Sequence, residues 1–136
     1  MLNSLKFIFL WTLLSSTIFV QAQTIKPLSK QQVQRVGPKV FSERIQKGSI
    51  VLLDVRTPGE YKKGHIRGAR LLDIFSDDFE KELNKLDRKA TYMVYCGIGG
   101  RSEECSEMMR KKGFVSVYDL DGGIKRWQAE GFPVEQ

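Results

Sequence analysis

Apolar and polar positions fall into two regimes along this chain. Residues 7–20 are almost entirely apolar or small, and Lys6 is the single charge among the first 25 residues. Farther on, short apolar runs alternate with stretches that are apolar every third or fourth position. Ile50-Val51-Leu52-Leu53-Asp54-Val55 predicts a strand buried on both faces. Residues 69–74 predict a weaker strand, and residues 91–95 and 115–120 two further ones. Between them lie helical patterns. Phe41, Arg44 and Ile45 predict a helix over 41–47 that Gly48 ends. Thr57 and Pro58 mark another helix start, with Glu60 at capping-box spacing from Thr57. Phe79, Leu83 and Leu86 share one side of a helix over 77–86. Cys105, Met108 and Met109 form the stripe of a helix over 102–112, closed by Gly113, and Ile124 and Trp127 lie on a last helix over 122–130.

Strand–helix alternation with short connections predicts an α/β fold, a mainly parallel central sheet with helices on both faces. Residues 23–39 are polar, hold Pro27 and Pro38, and read as a segment leading into a single domain over 40–136. Ligands of such sheets sit beyond the C-terminal ends of the strands. Cys96, directly after the strand at 91–95, falls there.

Length and charge sharpen this picture. The apolar run of residues 7–20 is followed by small residues at Val20 and Ala22, as a secretory signal requires, so residues 1–22 are expected to be a signal peptide cleaved after Ala22. The run spans 14 residues, short of the roughly 20 that cross a bilayer. Cleavage would remove 22 of the 136 residues, leave 114, and lower the formal charge from +6 to +5 by loss of Lys6. The expected location is the periplasm or the exterior, with no stable membrane insertion afterwards and a monomeric domain. The cations come in short groups such as Lys62-Lys63 and Arg110-Lys111-Lys112, the pattern of solvated helix surface rather than of a nucleic-acid stripe. No nucleic-acid partner is expected. One histidine and two cysteines cannot make an ordinary structural zinc site.

The chemistry concentrates in Cys96-Gly97-Ile98-Gly99-Gly100-Arg101-Ser102. Glycines let a tight loop take positive φ and let backbone amides converge on one point. A helix follows at once, so its N-terminal amides and dipole face the same space, and Arg101 adds a fixed cation. Such surroundings lower a cysteine pKa, which predicts that Cys96 is a thiolate nucleophile at neutral pH. In an exported chain two cysteines would ordinarily suggest a disulfide. Cys105, on the apolar stripe of the following helix, is instead expected to be buried and free.

In three places the chain resembles the rhodanese-like sulfurtransferases. Residues 53–61 with 64–69 (Leu-Asp-Val-Arg-Thr-Pro-Gly-Glu-Tyr, then Gly-His-Ile-Arg-Gly-Ala) are similar to the family's first signature, Cys96 to Ser102 to its active-site loop, and Gly122-Gly123-Ile124 with Trp127 to its C-terminal signature. The resemblance implies transfer of a sulfane sulfur, from thiosulfate or a persulfide, through a persulfide on Cys96. The acceptor would be a thiol, a cyanide-like molecule or a partner protein thiol. Gly97, Ile98, Gly99, Gly100, Arg101 and Ser102 would cradle the substrate, and neither cofactor nor metal is needed. Asp54 and Arg56 would brace the loop or neighbouring turns by ion pairing. One departure bears on the donor: many thiosulfate-using relatives carry a basic residue directly after the cysteine, where this chain has Gly97.

The same residues admit rivals. Gly97-x-Gly99 is similar to a dinucleotide fingerprint with Asp119 downstream, but Ser102 replaces the third glycine. A cysteine-dependent phosphatase or arsenate reductase would also use a cysteine and an arginine around an anion, with five residues between them where this chain has four. A non-catalytic sulfur-carrier or redox module is the third. His65 is expected to make structural hydrogen bonds, Glu60 to cap a helix, and Ile124, Trp127, Met108 and Met109 to pack the core.

Overall fold

Strand alternation in this chain sorts side chains into two layers, one on each side of a single sheet. The computed structural model describes residues 32–136, so the expected signal peptide lies outside the described residues. The elements run β1 (Gln32–Val36), α1 (Pro38–Gln46), β2 (Ile50–Asp54), α2 (Pro58–Lys63), β3 (Arg70–Leu71), α3 (Phe79–Asn84), β4 (Thr91–Tyr95), α4 (Gly100–Lys111), β5 (Ser116–Leu120) and α5 (Gly123–Ala129). The sheet order is β1-β5-β4-β2-β3, and every pairing is parallel. The expected α/β architecture is the one observed.

The central strand β4 shows why both faces are covered. Tyr92 and Val94 point into a cluster with Leu53, Val117, Leu83 and Met109, under α3 and α4. Met93 and Tyr95 point the other way, to Leu52, Phe41, Leu120 and Trp127, under α1 and α5. Fully burying side chains of this size contributes about 1.5–3 kcal/mol each. That is why residues 50–55 read as an unbroken apolar run: both faces of β2 are covered. Among the described residues no helix is long and apolar enough to cross a membrane.

Several boundaries differ from the sequence expectation. The polar segment at 23–39 contributes the edge strand β1, which pairs with β5 through Val33↔Val117 and Arg35↔Asp119. An edge strand paired on one side needs few apolar residues, so Gln-Val-Gln-Arg-Val carries no strand signal. α1 starts at Pro38 rather than Phe41, because Gly37 is the N-cap and proline suits the first helical turn. The strand expected at 69–74 shrinks to Arg70–Leu71, paired only with Leu53 and Asp54 of β2. α3 begins at Phe79 rather than 77, after a turn in which the Phe79 amide donates to Ser76 O at 2.9 Å. α4 begins at Gly100, two residues before Ser102, so Gly100 and Arg101 belong to the helix and not to the loop.

The topology also places the site. From β2 the chain leaves through α2 to the edge strand β3, and from β4 it leaves through α4 toward β5 on the opposite side. Neighbouring strands whose connections depart in opposite directions open a crevice at their C-terminal ends. Cys96 follows β4 at that crevice.

Candidate active site

The chain has three residues, Gly97, Ile98 and Gly99, in which to turn from Cys96 into α4. Gly99 makes the turn possible. It sits at φ 109°, and a Cβ there would lie 2.7 Å from Arg35 Nη2. The tight turn folds the loop amides back onto the sulfur: Gly99 N–H donates to Cys96 Sγ at 3.1 Å. The Ile98 and Ser102 amides and the Ser102 hydroxyl also favour its thiolate form. That hydroxyl also lies 3.1 Å from Gly99 O, so its single proton serves one acceptor at a time. Burial, with Cys96 only 1% exposed, pushes the thiol pKa up; the converging donors outweigh burial and hold it below its ordinary value.

The loop is held from three sides. On one, α5 points its N-terminal amides at it: Ile124 N–H donates to Cys96 O at 2.8 Å and Lys125 N–H to Gly97 O at 3.1 Å. The approach is so close that a Cβ on Gly123 would lie 2.6 Å from both carbonyl oxygens. Gly122-Gly123 therefore serves the loop directly, while Ile124 and Trp127 pack the core as expected. On the second side Arg35 of β1 donates from Nη2 to Gly99 O at 3.3 Å, and its Nε lies 3.3 Å from the Asp119 carboxylate. Asp119 is 2% exposed; burial raises its pKa against the lowering effects of Ser102 and Arg35. No signal in the sequence marked Arg35, because the strand that carries it has none.

The third side is Arg101, and here the expectation changes. Rather than standing as a free cation over the sulfur, its fork is occupied. Nη1 donates to Glu60 Oε2 at 2.8 Å and Nη2 to Glu60 Oε1 at 2.7 Å. Glu60 comes from α2 and Arg101 from α4, so the pair spans the crevice between the two crossovers. The hydrogen bond from Arg101 is the main cause that pulls Glu60 down to a pKa of about 2, against burial and with help from Thr57. The arginine's own pKa is raised by Glu60 first, then, burial opposing, by the charge and contact of Cys96. Gly97 makes room for this: a Cβ there would lie 3.1 Å from Arg101 Nη2 and 3.7 Å from Glu60 Oε1. Glu60 still closes the capping box with Thr57, accepting from Thr57 N at 3.2 Å while Thr57 Oγ1 accepts from Glu60 N at 3.4 Å. Its second task was legible only in that Glu60 is the carboxylate nearest the end of α2 that opens on the crevice.

Asp54 and Arg56 do not touch the loop cradle. Arg56 Nε and Nη2 clamp the Asp54 carboxylate at 2.6–3.0 Å, and Nη2 also donates to Gly64 O at 2.7 Å. This pair braces the turn after α2 and lies against Tyr95, the residue before Cys96, with the guanidinium 5.6 Å from the ring centre. His65 is spent similarly: Nδ1 meets Tyr61 O at 3.1 Å and the ring stacks on Tyr61 at 3.8 Å. Cys105 is free and fully buried, and burial pushes its thiol up to about 12. Two large apolar side chains remain in solvent at this end of the sheet. Ile98 of the loop is 73% exposed and Phe75, 70% exposed, lies 5.7 Å from the Arg101 guanidinium.

Comparison with known proteins returns the family of this parallel-sheet fold. The chain belongs to the Rhodanese family, whose Rhodanese-like domain matches residues 37–130. It is 39% identical over 103 residues to a tRNA uridine(34) hydroxylase of Chlamydia pneumoniae, covering 71% of this chain and 32% of that protein. The enzyme of the same name from Chlamydia abortus is 36% identical over 99 residues, covering 68% and 30%. The chain thus spans about a third of the length of these curated relatives. Among solved structures, a rhodanese-related protein from Thermoplasma volcanium matches at TM-score 0.66 and 29% identity, over 75% of this chain and 97% of that one. The Rhodanese-like domain of an Anabaena protein matches at TM-score 0.66 and 28% identity, over 74% and 77%.

Proposed function

We propose that this chain is a sulfurtransferase that carries a sulfane sulfur as a persulfide on Cys96. The observation that carries the proposal is the loop folded over Cys96, with the Gly99 N–H donating to its sulfur and the loop's donors holding the thiol below its ordinary pKa. The Cys96 thiolate attacks the donor's outer sulfur, the donor's S–S bond breaks, and the donor leaves as its thiolate or sulfite. The terminal sulfur of Cys96–S–S⁻ then carries the negative charge. The α4 N-terminus faces it as preorganised donors face an oxyanion. A thiophilic acceptor takes that sulfur and regenerates the thiolate, so double-displacement kinetics are expected. Intact mass tests the proposal: a gain of about 32 Da, one sulfur, reversed by cyanide and absent in Cys96→Ser. No adduct from any sulfane donor would return the chain to the class of non-catalytic modules.

A second reading comes from the relatives named tRNA uridine(34) hydroxylase, which would make a tRNA base the substrate. It would put a basic face beside Cys96, yet Arg101 and Arg35 are both already in ion pairs. We further propose that residues 1–22 are cleaved on export, which would separate the chain from tRNA. N-terminal sequencing of the protein recovered from fractionated cells tests this, and nucleoside mass analysis of tRNA incubated with the chain tests the hydroxylase reading. Phosphoryl transfer is disfavoured by the same geometry, because the arginine that would hold the phosphate holds Glu60.

A further inference from the structure

We infer that Glu60 sets the donor specificity of this site: by occupying the fork of Arg101 it selects an organic persulfide, R–S–SH, over dianionic thiosulfate. This rests on the sulfurtransferase reading and names its donor class. The fixed charges facing the reacting sulfur are few. Arg101 lies between two anions, the Cys96 thiolate and the Glu60 carboxylate, and both Glu60 oxygens are within 2.8 Å of its nitrogens. Among side chains, one cation is shared by two anions before any donor arrives. A dianion entering there meets repulsion that Arg101 offsets less, because the bidentate pair takes two of its five N–H donors and shares its charge with Glu60. Gly97 adds no cation of its own and leaves open the space the pair occupies.

A persulfide brings at most one negative charge where thiosulfate brings two, and its neutral S–SH form is the one open to attack. The Cys96 thiolate displaces RS⁻ from R–S–SH: the new bond joins Cys96 Sγ to the outer sulfur, the R–S–S bond breaks, and Cys96–S–SH and RS⁻ result. One negative charge is present before and after. The R group also has somewhere to lie. Ile98 in the loop and Phe75 against Arg101 present apolar surface at 73% and 70% exposure. Thiosulfate has no carbon to place on it.

The test compares the rate at which Cys96 gains one sulfur, by intact mass, from cysteine persulfide and from thiosulfate at equal concentration. The folded wild-type chain should load at least about tenfold faster from the persulfide, the range of one charge-assisted hydrogen bond withheld from the dianion. In Glu60→Gln, which keeps a capping-box residue at that position, the thiosulfate-to-persulfide ratio should rise by at least about tenfold through a lower thiosulfate KM. In the double variant Glu60→Gln/Arg101→Gln that rise should vanish, which a purely structural effect of Glu60 would not reproduce. Equal wild-type loading from both donors, or an unchanged ratio in a folded Glu60→Gln, overturns the inference while sulfur transfer stands. Should Glu60→Gln fail to fold, the wild-type ratio alone decides. Loading of the wild type from neither donor overturns sulfur transfer itself.

Discussion

Two arginine–carboxylate pairs stand at the same end of the sheet, and they do different things. Asp54–Arg56 is sealed: the carboxylate is fully buried and the arginine 5% exposed, with the guanidinium's hydrogen bonds going to Asp54 and Gly64, both within eight residues of it. Glu60–Arg101 joins residues on separate helices across the crevice, and its side chains keep 35% and 24% of their exposure. The first pair holds a turn. The second stands beside Cys96, where on the proposed function a substrate would compete with either partner. Equal distances therefore do not mean equal roles; burial and the elements joined decide.

The sharpest way to break this contrast is to remove one partner from each pair. Asp54→Ala should cost about 3–5 kcal/mol in urea unfolding, because it strands a buried guanidinium. Glu60→Gln should cost under about 1 kcal/mol in the same measurement, since the pair is partly solvated. Similar losses in the two variants would erase the distinction. Gly123→Ala comes next: at φ 60° and 2.6 Å from two loop carbonyls, an added methyl must displace the loop. A loss of about 1–3 kcal/mol is expected, together with slower alkylation of Cys96; an unchanged alkylation rate would mean that α5 does not hold the loop. Thr57→Val removes one member of the capping box and should cost about 1 kcal/mol, with little effect on Cys96.

Titration gives the smallest and most selective effects. The depressed pKa of Cys96 keeps the thiolate as pH falls below the usual thiol range, so its iodoacetamide reactivity should level off at lower pH than that of a free thiol. Cys105, at about 12, should stay unlabelled in the folded chain at pH 8. For Glu60 the folded pKa lies below the unfolded one. The stability this carboxylate contributes is whole above the unfolded value of 4.5 and is lost as pH falls through about 2. Glu60→Gln should flatten that limb of an acid-unfolding curve, and an unaltered limb would show that the ion pair is not formed in solution.

Legibility followed burial. β2 and β4 were readable because packing on both faces demands unbroken apolar runs, and Thr91–Tyr95 was predicted with its observed ends. The loop was readable because glycines before a helix are costly anywhere that backbone does not need them. β1 was not, since Gln32–Val36 owes its strand to pairing with β5 rather than to its own pattern. The α4 start was missed by two residues because Gly100 and Arg101 look like loop composition, while the left-handed Gly99 is what ends the turn.

By itself, then, the sequence determined the alternating parallel fold, the position of Cys96 beyond a strand end, and the family signature around it, because these depend on local propensity and period. Only the tertiary structure decided what surrounds the sulfur. Glu60 and Arg101 are 41 residues apart and Arg35 and Gly99 are 64 apart. Whether such charges meet, and which of them stays free for a substrate, depends on how α2, α4 and β1 are carried to one edge of the sheet. No local pattern encodes that distance.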